Sequence, residues 1–319
     1  MQKILVTRAV FEPVLERLSR HFSVAANQDD VIWTPQELAQ QLADKDGVLS
    51  CAVDPLGAEV IAAAPRLRAI CNIAVGYNNI DLAACRERGI VVTNTPGVLD
   101  ETTAVLAWSL ILASARQVVA ADKWLRAGHW QAWKFDQWLG RDVHHATLSI
   151  LGMGRIGQAV ARRAAGFAMR VLYHNRSRLP VQVERDCTAT WVDKETLLAE
   201  ADFLVPVLPY SPAVHHIIAA PELARLKPSA HVINIARGGV IDDAALIEAL
   251  QARRIAGAGL DVYENEPALD PRFLHLDNVV LTPHIGSASA ATRMSMAMLA
   301  ADNLIAALSG EAVPNRVDT

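Results

Sequence analysis

Residues 148–178, LSILGMGRIGQAVARRAAGFAMRVLYHNRSR, decide the fold. The opening apolar run (Leu148, Ile150, Leu151) is short enough for a buried parallel strand. Gly152, Gly154 and Gly157 follow as G-x-G-x-x-G, then an Ala-rich segment with helical spacing. A second apolar strand runs from Arg170 to Tyr173. The first glycine permits a tight turn, the second lets backbone approach a pyrophosphate, and the third lets helix and strand pack closely. Free N–H groups at the helix start face the anion. Alone the motif is weak. Placed between strand and helix, with a second strand arriving on schedule, it predicts a dinucleotide-binding unit.

The polar cluster after the second strand bears on which dinucleotide. An NAD site usually carries Asp or Glu there, accepting hydrogen bonds from the ribose hydroxyls. This chain has His174, Asn175, Arg176, Ser177 and Arg178, with no acid in the window. A carboxylate would repel a 2′-phosphate, whereas a guanidinium binds it through two hydrogen bonds. The expectation is NADPH held by Asn175, Arg176 and Ser177, with support from Arg178 and with NADH taken at lower affinity. The competing reading is a solvated Arg-rich loop.

At 319 residues the chain has material for two domains and two cores. Its 52% hydrophobic and 20% charged content is that of an ordinary soluble globular protein. A net charge of -4 gives no electrostatic case for nucleic acid or an acidic membrane as partner. No signal peptide is evident in MQKILVTRAV, and the apolar stretch from Val105 to Ala115 is short of a membrane span. Cys51, Cys71, Cys85 and Cys187 lack metal-ligand spacing. The expectation is a cytoplasmic protein with reduced thiols and no metal.

An α/β pattern precedes the glycine motif. Ile4 to Thr7, Gly47 to Val53, Leu67 to Val75 and Ile90 to Thr93 read as strands. Glu12 to Arg20, Ala58 to Ala64 and Leu82 to Arg88 read as helices, so a small, mostly parallel α/β domain is expected. Asn94-Thr95-Pro96-Gly97 breaks the pattern, and an apolar helix from about Glu101 to Ser114 leads into the next domain. Trp124 to Gly140 is an aromatic-rich arm holding Trp124, Trp130, Trp133 and Trp138. It reads as a subunit interface, with local core packing as the alternative. Past the motif, Asp202 to Val207, His231 to Ile235, Gly257 to Asp261 and Val279 to Leu281 read as strands. Pro206 is awkward inside the first of them. Pro221 to Leu226, Asp242 to Gln251 and Ala290 to Leu308 read as helices, the last stopped by Gly310.

Three polar residues stand where strands end: Arg237 after HVINIA, Glu266 in DVYENEP, and His284 after VVLTP. Ligands of an open α/β sheet bind outside the carboxyl ends of its strands, so the three are candidates for one site. Arg can hold a carboxylate and polarise the adjacent carbonyl. His can donate a proton, with Glu stabilising the imidazolium. Each taken singly also reads as structural, Arg237 and Glu266 as surface ion-pair partners and His284 as a buried hydrogen-bonding residue.

With RIGQAVARRAAGFAMRVLYHNRSR, INIARGGVID, AGLDVYENEP and LTPHIGSA on the page, the chain resembles the D-isomer-specific 2-hydroxyacid dehydrogenases. VGYNNID and NTPGVL extend the likeness into the first domain, and within the family it is most similar to glyoxylate/hydroxypyruvate and 2-ketogluconate reductases. The resemblance implies a Rossmann-type doubly wound parallel sheet over 99–285. It also implies a smaller, flavodoxin-like α/β substrate domain, discontinuous over 1–98 and 286–319, with the active site in the cleft between the two. It implies reduction of a small 2-oxo acid to the D-2-hydroxy acid. Arg237 would anchor substrate, His284 would be the acid/base and Glu266 its partner. Arg155 and Ile156 would meet the pyrophosphate, Val207 would lie near the cofactor, and Asp261 would hold the nicotinamide carboxamide. Val75 and Gly76 would offer N–H groups to substrate, Trp138 would border the substrate pocket, and a homodimer is implied.

Several positions depart from the family pattern. Val105 stands where an acid is usual, Ser149 and Ala168 replace glycines, and Val207 occupies a place often held by His. An L-specific lactate or malate dehydrogenase would carry its glycine motif near the N-terminus. A phosphoglycerate-type NAD enzyme would carry the missing acid and is expected with a regulatory domain. An NAD(H)-sensing co-repressor of the same fold is expected with long disordered extensions.

Overall fold

The structure, a computed structural model, describes residues 1–317. The chain divides into two compact units, Met1–Leu99 with Ala288–Thr319, and Asp100–Ser287. The first unit begins β1 (Lys3–Val6), α1 (Glu12–Ser19), β2 (Ser23–Ala26), α2 (Pro35–Leu42) and β3 (Gly47–Ser50). It continues through α3 (Ala58–Ala62), β4 (Ala69–Asn72), α4 (Leu82–Glu87) and β5 (Val91–Thr93). All its strands are parallel, in the order β2-β1-β3-β4-β5, the flavodoxin-like arrangement.

The second unit opens with α5 (Asp100–Ala115) and α6 (Val118–Arg126), followed by β6 (Thr147–Leu151), α7 (Arg155–Ala164), β7 (Arg170–His174), α8 (Val181–Cys187) and β8 (Ala189–Trp191). Then come α9 (Lys194–Glu200), β9 (Phe203–Pro206), α10 (Ala220–Leu223), β10 (His231–Asn234), α11 (Asp243–Gln251), β11 (Gly257–Leu260) and β12 (Val279–Leu281). Its seven parallel strands run β12-β11-β10-β9-β6-β7-β8. The chain first builds β6, β7 and β8 in one direction, then restarts on the other side of β6 with β9. That reversal makes β6/β9 the switch point of a doubly wound sheet. Finally α12 (Ala290–Ser309) completes the first unit, capped by the Ser289 side chain and closed by Gly310 at φ 77°.

Each sheet carries a core on both faces. On the larger sheet, Trp108 of α5 stacks on Phe167 at 4.7 Å and donates to the Val160 carbonyl at 3.0 Å, fixing α5 against α7. Val105 lies 52% exposed on α5, so no buried polar partner is stranded by the missing acid. Ser149 is fully buried, but its hydroxyl donates to the Leu197 carbonyl at 2.9 Å and so ties β6 to α9. No single helix among the described residues is long and apolar enough to cross a membrane.

Differences from the sequence expectations have local causes. β2 and β8 went unread because neither carries a run of consecutive apolar residues facing a core, β2 being mostly exposed and β8 broken by the exposed Thr190, whereas the edge strands β5 (VVT) and β12 (VVL) keep such a run. β3 and β4 stop earlier than their apolar runs. Asp54 captures the Cys51 N–H at 2.7 Å, and Asn72 donates to the Gly76 carbonyl at 3.0 Å, so polar side chains turn the backbone away. β9 ends at Pro206 itself, and the next N–H, from Val207, goes to Leu151 at 2.8 Å.

Ala168 sits in the left-handed region at φ 51°, ψ 35°, which disfavours a Cβ by about 1–2 kcal/mol. Glycine relieves that strain but gains about 0.4–1 kcal/mol of unfolded-chain entropy. Ala168→Gly should therefore stabilise the protein by about 0.5–1 kcal/mol, read as a higher urea midpoint. An unchanged or lower midpoint would show that the left-handed turn carries no net strain.

Candidate active site

The glycine turn lies at the switch point. Gly152 has φ 101°, and a Cβ there would stand 2.6 Å from the Val207 carbonyl oxygen, so the loop after β6 passes directly over the end of β9. A Cβ on Gly157 would meet the Gly152 carbonyl at 2.5 Å, which is how α7 packs so close to its strand. A Cβ on Gly154, by contrast, would meet nothing within 4 Å. Gly154 is also the N-cap of α7 and supplies no side-chain cap. Arg155 and Ile156 open the helix, so its first N–H groups are left for a ligand. A dinucleotide fits these features, since the turn is open on one side and presents uncapped donors.

The end of β7 is organised by side chains. Asn175 accepts the Met153 N–H at 2.7 Å through its Oδ1, and its carbonyl accepts the Trp191 indole N–H at 3.2 Å. Asn175 thus braces the glycine turn. The Tyr173 hydroxyl donates to Glu184 at 2.7 Å and accepts the Leu179 N–H at 2.9 Å. Arg178 lies against the same Glu184 through two bonds of 2.8 Å. Arg178 is therefore not a free cation: the acid absent from the local window reaches it from α8. The two hydrogen bonds hold the Glu184 carboxyl down at about 2, Arg178 contributing first and Tyr173 second. Arg176 and Ser177 are exposed, and Arg176 has no ion pair among the described residues.

Arg237, Glu266 and His284 follow β10, β11 and β12, which are neighbours in the sheet. His284 Nδ1 lies 2.6 Å from Glu266 Oε2. Glu266 Oε1 accepts the Tyr263 N–H at 2.9 Å. Burial would raise the Glu266 carboxyl, but the bond and charge of His284, the Tyr263 N–H and the Arg237 charge outweigh it, leaving it below the usual carboxylate range. Arg237 is half-buried and donates only to its neighbour's carbonyl, Ala236, at 2.8 Å. Burial draws its guanidinium down, with Glu266 opposing. Its unneutralised charge is what an anionic ligand would meet.

Two further features hold this trio, and the spacing of the sequence did not reveal them. Gly238, next to Arg237, lies so close to Tyr263 that a Cβ would stand 1.8 Å from its carbonyl oxygen. The Arg237 and Glu266 loops therefore touch backbone to backbone, and the second residue of RGG is the trace of that contact. Asp261 is 1% exposed and accepts from the Thr282 hydroxyl (2.6 Å), the Ile285 N–H (2.7 Å) and the Gly286 N–H (2.8 Å). It clamps the turn in which His284 sits at φ 52°. The resemblance gave Asp261 a different task, so the geometry adds a structural one to it.

Val75 and Gly76 belong to the first unit. Asn94 donates to the Val75 carbonyl at 2.9 Å and Asn72 to that of Gly76, while the N–H groups of Val75 and Gly76 have no hydrogen bond among the described residues. Asn79 donates to the carbonyls of Cys51 and Asp54 at 3.1 and 3.0 Å, tying the Cys51–Pro55 loop to this turn. Trp138, at φ 57°, meets Trp124 of α6 edge to face at 5.7 Å. Trp130 and Trp133 are 58% and 74% exposed, and Phe135 is 85% exposed.

Comparison with known proteins agrees with this architecture. Residues 108–286 match the NAD-binding domain of D-isomer-specific 2-hydroxyacid dehydrogenases. The chain is 45% identical to a glyoxylate reductase of Thermococcus onnurineus, over 99% of this chain and 96% of the relative. It is 44% identical to glyoxylate/hydroxypyruvate reductase B of Pectobacterium carotovorum, over 99% and 97%. Among solved structures, the NADPH-dependent glyoxylate/hydroxypyruvate reductase of Sinorhizobium meliloti, in complex with NADP and malonate, superposes with a TM-score of 0.88. It is 33% identical, with 99% of this chain and 96% of that one covered. With the switch-point glycine turn and the strand-end trio in place, the chain belongs to the D-isomer-specific 2-hydroxyacid dehydrogenases, a family of oxidoreductases with a nicotinamide-dinucleotide-binding domain.

Proposed function

We propose that this enzyme reduces glyoxylate, hydroxypyruvate or a comparably small 2-oxo acid to the D-2-hydroxy acid, with NADPH as the preferred reductant. The observation that carries the reading is the His284–Glu266 pair at 2.6 Å beside an Arg237 that has no carboxylate of its own. The names of the relatives support the substrate class. When bound, the cofactor supplies a hydride to the carbonyl carbon. Arg237 holds the substrate carboxylate and draws charge toward the carbonyl oxygen. His284, as imidazolium, gives its proton to that oxygen, and Glu266 stabilises the charged ring until it is spent. The balance is one 2-oxo acid, one NADPH and one proton to one 2-hydroxy acid and NADP⁺. The N–H groups of Val75 and Gly76 are proposed as donors to the substrate. In the dinucleotide unit, Gly152, Gly154, Arg155, Ile156 and Gly157 cradle the pyrophosphate, Val207 lines the cofactor, and Asp261 meets the carboxamide.

NADPH preference rests on Arg176, the exposed cation left after Arg178 is taken by Glu184. Arg176→Ala should raise the KM for NADPH about ten- to a hundredfold and leave NADH nearly untouched. Equal losses with both cofactors would overturn this, since NADH has no 2′-phosphate to lose. Initial rates with glyoxylate, hydroxypyruvate, 2-ketogluconate and bulkier 2-oxo acids test the substrate class directly.

The proton donor leaves a pH signature. Reduction needs imidazolium, so its rate should fall as pH rises, and oxidation of the hydroxy acid should show the opposite limb. Glu266→Gln removes the carboxylate that holds the His284 ring at Nδ1 and should lower turnover in both directions with NADPH binding intact. His284→Ala should abolish most turnover and leave NADPH binding intact. A Glu266→Gln variant as active as the parent would show that this pair does not carry the proton transfer.

The exposed Trp130, Trp133 and Phe135 support a homodimer built through this arm, in a cytoplasmic enzyme. Trp130→Ala or Trp133→Ala should weaken association in sedimentation at low concentration. Trp138→Ala should alter the preference between short and long 2-oxo acids. If all three variants stay dimeric with an unaltered substrate ranking, the arm is neither interface nor pocket wall.

A further inference from the structure

Outside the Arg237–Glu266–His284 trio, the densest group of metal-ligating side chains lies where the turn after β9 meets the loop after β11. His215, His216 and Glu264 each offer one ligand atom, and these atoms lie within 4.8 Å of one another, the only such group of three among the described residues. Consecutive residues in extended chain point to opposite sides. Here His216 is left-handed, at φ 52°, and the two imidazoles stack on one side with centroids 3.8 Å apart. His216 Nε2 is hydrogen-bonded to Glu264 Oε1. Its other nitrogen, Nδ1, faces Asp242 Oδ2 at 3.9 Å, the side from which a carboxylate orients a metal-binding imidazole once the two draw within hydrogen-bond distance. The His215 ring is exposed, with Tyr210 Oη 3.2 Å from its Nδ1.

The charge around the group also favours a cation. Glu264, Asp242 and Asp243 converge on it, and Asp243 accepts the Glu264 N–H at 3.0 Å.

We propose that His215, His216 and Glu264 bind a borderline divalent transition ion of the Zn²⁺ class, with Asp242 orienting His216 from behind. Two imidazoles and a carboxylate are a donor set that zinc accepts, with a fourth position left to water, whereas Mg²⁺ and Ca²⁺ require oxygen ligands. Zinc–ligand bonds of about 2.0–2.2 Å require the three atoms to draw together, and the exposed His215 ring is free to do so. An ion held there would join the β9 turn to the segment that leads into Glu266.

The experiment uses the full, untagged chain freed of metal, titrated with Zn²⁺ in competition with a chromogenic chelator. The expected result is one zinc per chain and a higher melting temperature with zinc than without. His215→Ala and Glu264→Gln should each weaken binding by at least about tenfold, as should Asp242→Asn, which retains the helix cap. Mg²⁺ should not compete. Binding does not depend on turnover, so the result is independent of the proposed reaction. Failure of the parent chain to take zinc from the chelator, or unchanged zinc affinity in both His215→Ala and Glu264→Gln, would overturn the site.

Discussion

A buried carboxylate holds the chemical end of the larger unit together. Asp261 spends its two oxygens on the Thr282 hydroxyl and on the Ile285 and Gly286 N–H groups. Burial pushes its carboxyl up, while those same hydrogen bonds and the His284 charge pull it down. Without it the Ile285 and Gly286 N–H groups of the turn after β12 would be left unmet, and His284 would lose the support of the left-handed backbone that turns it toward Glu266. From the other side, Gly238 presses on the Tyr263 carbonyl. The Tyr263 hydroxyl is shared between the carbonyls of Leu260 and Thr282, linking the turns after β11 and β12. Arg237, Glu266 and His284 thus sit on three loops cross-tied by the buried Asp261 and Tyr263 side chains and by one backbone contact at Gly238, which is how a site on loops is kept rigid.

Much of this was legible in the sequence, for a specific reason. Strands buried on both faces read as continuous apolar runs, so β6, β7, β10 and β11 announced themselves. In a parallel sheet their carboxyl ends all lie on one edge, so Arg237, Glu266 and His284 could be grouped from position alone. The edge strands β2 and β8 could not be read, because neither has two buried faces to leave that signature. Contacts set by tertiary approach were equally silent. Nothing in HNRSR says that Glu184 will reach Arg178, nor does INIARGG show that its first paired glycine meets Tyr263. The motif spelled the glycines and left their neighbours unnamed.

The distribution of paired and unpaired cations carries more information than the net charge. Arg141 and Lys227 are both committed to Asp202, which also caps the start of β6 through the Thr147 N–H. Arg162 and Arg163 share Glu101, and Arg178 is held by Glu184. Arg176 and Arg237 stand apart from these pairs, each at a strand's carboxyl end. A half-buried guanidinium that feels the Glu266 charge but makes no direct ion pair among the described residues costs stability that a solvated one does not. Arg237 is therefore the cation whose placement is hardest to explain by folding alone.

The sheet acts as a ruler for these charges. Along its carboxyl edge the order is His284 after β12, Glu266 after β11, Arg237 after β10, Val207 after β9, the glycine turn after β6 and Arg176 after β7. Adjacent strands lie about 4.8 Å apart, so the five steps from β12 to β7 place the two ends of this series about 24 Å from each other before twist. The His284–Glu266 pair and Arg176 occupy opposite ends, and the switch point falls between them. A ligand that touches both must be long and extended, with its anionic middle over the glycine turn. That is the shape of a dinucleotide. The constraint comes from strand order rather than from any one side chain, so Val105, Ser149 and Ala168 can depart from the family pattern without moving the ends of the ruler.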